Sequence, residues 1–123
     1  MIDPPRRQRA ERLDVQQARE AQKLVLPVNR QIGVWQAQAA RLMAFGRKLR
    51  TTGGFEPRLK AEAEDLAQAI DRQRQLLLDE AAGLPPEIAN HSRLLDTIRA
   101  LDSVQQSAAK AVELLSPGSA APH

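Results

Sequence analysis

A chain of 123 residues with 18 Lys and Arg against 15 Asp and Glu, net charge +3, is one domain or one domain with an extension. It has no cysteine, which excludes disulfides and thiolate metal sites, and no apolar run near the ~20 residues that cross a bilayer. The apolar residues are mainly Ala (20) and Leu (16), with three aromatics and only 14 Val, Ile and Thr, so helix is favoured over sheet.

The charge is divided unevenly. Residues 1–60 hold 13 Lys and Arg against 5 acids, and residues 61–123 hold 5 against 10. Such asymmetry marks either a polyanion-binding half or basic and acidic helices that face one another. The second reading is preferred, because the acid-rich stretch 57–82 directly follows the basic stretch 41–60.

Residues 1–26 form a basic helical extension. Asp3 is placed to cap it, and Pro4 and Pro5 to open it. Its apolar residues Ala10, Leu13, Ala18, Ala21 and Leu24 are small and sparse. The charges of Arg6, Arg7, Arg9, Glu11 and Arg12 leave no room for the apolar core of a signal peptide, and the default reading is cytoplasmic.

Pro27 then interrupts the pattern. A proline inside a helix removes a backbone hydrogen bond and clashes with the preceding turn. Either the helix continues with a kink, or residues 26–29 are a loop and Asn29 caps a new helix. The apolar spacing runs unbroken from Ala18 to Ile32, which favours the kinked helix.

The bundle proper spans residues 27–115. Val25, Val28, Ile32, Trp35, Ala39, Leu42, Gly46 and Leu49 alternate steps of three and four, the seam period of helices packed side by side. Trp35 on that seam reads as a core anchor. Gly53 and Gly54 end the first helix, and Pro57 opens the second. Phe55, between them, either staples the second helix or stays exposed as an anchor for a partner. Leu59, Ala63, Leu66, Ile70, Gln73, Leu77 and Leu84 carry the second seam, with Glu80 or Ala81 at its last step. Glu56 and Lys60 stand at the i,i+4 spacing of a helical ion pair.

Gly83 closes the second helix and Pro86 opens a third over 86–115, whose seam reads Ile88, His91, Leu95, Ile98, Leu101, Gln105, Ala108, Val112 and Leu115. Leu66, Ile70, Leu77, Leu95, Ile98 and Leu101 are expected to be buried between the second and third helices. Residues 116–123 read as a disordered tail. The fold class is therefore all-α, an antiparallel three-helix bundle with a long N-terminal helix kinked at Pro27. The alternative is a four-helix bundle.

Little in the chain supports catalysis. His91 lies on the third seam without a second histidine at metal-binding spacing, so a half-buried residue with one hydrogen bond is expected. His123 ends the tail. The acids 62, 64, 65, 71, 79 and 80 lack the Glu-x-x-His pattern of a di-iron bundle and read as a solvated face. No catalytic, cofactor or metal residues are assigned, and no small-molecule substrate is evident.

The expected role is non-catalytic: a helical interaction protein, whether adaptor, assembly subunit or chaperone-like binder. It acts on a protein partner or on itself through a helix face. The candidate partner-binding residues are Arg6, Arg7, Arg9, Arg12, Leu13, Arg47, Lys48, Arg50 and Phe55. The alternative is an accessory nucleic-acid-binding protein using the basic residues at 6–12 and 41–60. Membrane insertion is not expected, since residues 4–26 lack a bulky apolar face.

Overall fold

A computed structural model describes the backbone of residues 5–117 and the side chains of residues 15–117. Four helices follow in order: α1 (Pro5–Thr52), α2 (Pro57–Ala82), the single turn α3 (Pro86–Ala89) and α4 (Ser92–Leu115). At 1.5 Å per residue, α1 is about 72 Å long and α2 and α4 are about half that. No strand occurs among the described residues.

α1 continues through Pro27, so the four-helix alternative does not hold. Asn29 is not a cap. Its amide oxygen lies 3.0 Å from the Thr97 hydroxyl, tying α1 to α4. Packing offsets the helix bond lost at the proline, since Val25 and Val28 on either side of it are both buried. The first buried side chain described on α1 is Ala21, and Gln22 accepts a hydrogen bond from Arg93 at 2.5 Å. The end of the basic extension is thus part of the bundle.

The first seam holds as expected, with Val25, Val28, Ile32, Trp35, Ala39, Leu42 and Gly46 buried and Leu49 half-buried. Trp35 is 8% exposed and belongs to the core. The second seam holds too, with Ala63, Leu66, Ile70 and Leu77 buried and Ala81 filling its last step.

The third seam is corrected in two ways. First, the helix breaks after α3. Asn90 ends that turn, and His91 is extended (φ −64°, ψ 140°), its Nδ1 accepting the Arg93 backbone N–H at 3.2 Å as the N-cap of α4. His91 is half-buried with that single side-chain bond. Second, the inward face is Leu94, Thr97, Leu101, Val104, Ala108, Ala111 and Leu115. Leu95, expected in the core, is 37% exposed, and Ile98 is half-buried at its edge. Both stripes keep three-and-four spacing and meet at Leu101, Ala108 and Leu115. They differ in which flank of those residues faces inward.

α4 packs most extensively on α1 and next on α2, while α1 and α2 touch one another sparingly. α4 therefore lies in the cleft between the other two helices, and its contact with α1 is close. A Cβ on Gly46 would stand 2.7 Å from the Leu114 Cβ and 3.2 Å from the Leu114 carbonyl carbon. The α1–α2 turn is made by Gly53 at φ +72°, with the Gly54 N–H bonded to the Leu49 carbonyl at 2.9 Å. Gly83, at φ −89°, caps α2 without a left-handed residue.

Candidate functional site

With α4 filling one side of the α1–α2 hairpin, the opposite side stays partly open. Two grooves lie along it. One, of about 460 Å³, is bounded by Lys23, Pro27, Gln31 and Trp35 of α1 and by Gln73 and Glu80 of α2. The other, of about 500 Å³, lies at the turn end, between the last three turns of α1 and the first of α2. The polar contacts of Glu62 fall between them. It accepts from Gln38 Nε2 at 3.3 Å and is ion-paired with Arg41.

The turn-end groove is the stronger candidate site. Phe45, Leu49 and Leu59 form its apolar floor, and Arg41, Lys48, Arg58, Thr52 and Glu56 its walls. Phe45, Leu49 and Thr52 recur at helical spacing, so one face of α1 supplies them. Pro57 at N1 starts α2 where Arg58 and Leu59 fall on the groove. Phe45 is 41% exposed, and the Arg41 guanidinium stands over its ring at 6.0 Å. That contact and the Glu62 pair together hold the arginine along the groove wall.

The expectation that the basic stretch is balanced by the acidic helix packed beside it holds in part. Arg41 does pair with Glu62. The Arg47, Lys48 and Arg58 side chains make no ion pair among the described residues. Arg50 donates to the Glu113 carbonyl at 3.1 Å, at the end of α4, where a cation complements the helix dipole. Lys60 pairs with Glu64 at 3.8 Å and not with Glu56. Farther along α2, Arg74 pairs with Asp102 of α4 at 2.6 Å.

Of the sequence candidates, Arg47, Lys48, Arg50 and Phe55 all lie at the turn end of the bundle. Phe55 is 42% exposed. The residue that would staple it across the helix start is Lys60, which is polar, so it makes no staple. The side chains of Arg6, Arg7, Arg9, Arg12 and Leu13, and His123 with the last six residues, lie outside the described residues. The sequence reading did not single out Leu49 and Leu59 as a binding floor, because both also end their apolar seams.

Glu62 is taken up by Arg41 and Gln38, Glu64 by Lys60, and Asp79 by Gln75 at 3.1 Å. Among the described residues no three His, Asp or Glu side chains converge as a metal would require, and no helix is long and apolar enough to cross a membrane. Comparison with protein-family models, characterised proteins and solved structures finds no match for this chain.

Proposed function

We propose that this chain is a non-catalytic helical interaction protein of the cytoplasm that binds a protein partner through the turn end of its α1–α2 hairpin. The observation that carries the reading is the groove floored by Phe45, Leu49 and Leu59. A large aromatic left 41% exposed in a chain with only three aromatics is surface a partner would cover. Phe55, in the same turn, is exposed as well.

A second reading, an accessory nucleic-acid-binding protein, is favoured by one observation. Arg47, Lys48 and Arg58 are left without an acidic partner among the described residues. Clustered cations of this kind neutralise phosphates.

Purifying the protein from its source cells at low salt, with and without nuclease, tests the two. A protein held at fixed ratio and unaffected by nuclease is the expected outcome. Bound nucleic acid promotes the second reading, and nothing bound refutes both. The second reading further requires that affinity for duplex or single strand fall about a thousandfold between about 50 and 200 mM salt, and that replacing Arg47, Lys48 and Arg50 by Gln flatten the slope.

A further inference from the structure

We infer that the turn-end groove takes an acidic amphipathic helix of a protein partner, an inference that rests on the interaction-protein reading above. Three features set the chemistry of the occupant. The floor is apolar and built from three large side chains, so the occupant must present an apolar ridge. The walls carry Lys48 and Arg58, without ion-pair partners, against the single rim acid Glu56. The flanks of the ridge must therefore be negative. Arg41 is already held by Glu62 and by the Phe45 ring, so it shapes the wall without adding an unmet charge.

The shape selects a helix. From Arg41 to Thr52 the groove follows about three turns of α1, about 16 Å at 1.5 Å per residue. A cleft between two helices accepts a third as α4 is accepted on the other side, through residues spaced three and four apart. An added strand would need a sheet edge, and none occurs among the described residues.

Nucleic acid fits the same groove poorly. A phosphate backbone would leave Leu49 and Leu59 uncovered. Single strands are held on rows of aromatic rings, and here one ring lies in the groove with Arg41 already over it.

The test is fluorescence anisotropy on the full chain with three labelled probes. The first is a peptide of about 18 residues with leucines at three-and-four spacing and glutamates on their flanks. The second is the same peptide with lysine in place of glutamate. The third is an oligonucleotide of about 20 nucleotides. The acidic peptide should bind, and the lysine peptide at least about tenfold more weakly. Phe45→Ala, and separately Lys48→Glu with Arg58→Glu, should each weaken the acidic peptide by about tenfold or more. All these positions are exposed, so helical content and melting should be unchanged, and a circular dichroism melt checks this.

No binding of the acidic peptide, binding indifferent to Phe45→Ala, or tighter binding of the oligonucleotide each overturns the inference. So does an oligomer, seen by light scattering, that Phe45→Ala dissolves, because the groove would then hold a second copy of this chain. The broader reading is scored separately. If a protein co-purifies with the wild-type chain and is retained by the Phe45→Ala, Lys48→Glu, Arg58→Glu variant, the groove is wrong and the interaction protein stands. If no protein co-purifies with the wild-type chain, both fall.

Discussion

Leu94 and Leu95 are the same residue type one position apart, yet one is fully buried and the other 37% exposed. Leu94→Ala should cost about 2–5 kcal/mol, the usual range for emptying a core position, and Leu95→Ala well under about 1 kcal/mol. Urea denaturation of the two variants measures the difference, and equal losses would refute the described register of α4. Gly46 tests packing from the opposite direction. Its Cα faces Leu114 so closely that Gly46→Ala has no room for the new methyl. The added methyl should cost about 1–3 kcal/mol by overpacking, although alanine is the better helix former. A stabilised Gly46→Ala variant would mean that α1 and α4 do not approach as described.

At the scale of elements, the long first helix is the notable case, because it contains a proline that intrinsic preference opposes. An interior proline costs about 3 kcal/mol relative to alanine. Pro27→Ala should therefore stabilise the protein by up to about 3 kcal/mol, seen as a raised melting temperature. A lowered one would show that the proline sets a backbone path the bundle needs. The two helix-ending glycines should behave oppositely. Gly53 is left-handed, so Gly53→Ala should destabilise by about 1–2 kcal/mol. Gly83 has a negative φ and room for a methyl 3.6 Å from the Glu80 carbonyl oxygen, so Gly83→Ala should gain about 0.4–1 kcal/mol. The same denaturation series reads both.

For the whole molecule, the disparity in helix length matters most. α1 has 48 residues against 26 in α2 and 24 in α4, so it extends beyond both. The first buried side chain described along it is Ala21, and α3 lies beside Gln16, Gln17 and Glu20. An isolated helix of such length is marginal in water and needs packing to persist. We expect the full chain to self-associate through this end, and a chain lacking residues 1–15 to be a folded monomer by light scattering. The deletion must stop there, because Ala21, Gln22 and Val25 belong to the bundle. Two monomers would refute the association and leave the groove at the opposite end of α2 unaffected.

Composition and apolar spacing were enough to establish an all-helical bundle, the bounds of α2 and the inward faces of α1 and α2. On those helices one stripe at three-and-four spacing is predominantly apolar over its whole length, so period and face coincide. On α4 two stripes share Leu101, Ala108 and Leu115, and polarity pointed to the wrong one by preferring Ile98 to Thr97. Only packing against two helices at once decided it, since the Thr97 hydroxyl reaches Asn29 and the Arg93 carbonyl, both at 3.0 Å, and so can be buried without loss. The groove was equally out of reach of the sequence. Of its lining only Lys48 was a candidate from the chain, and Phe45, Leu49, Arg58 and Leu59 came together only in the fold. α4 occupies the far side of the hairpin, where Asp102 takes Arg74, and at the turn end Lys48 and Arg58 carry no ion pair among the described residues.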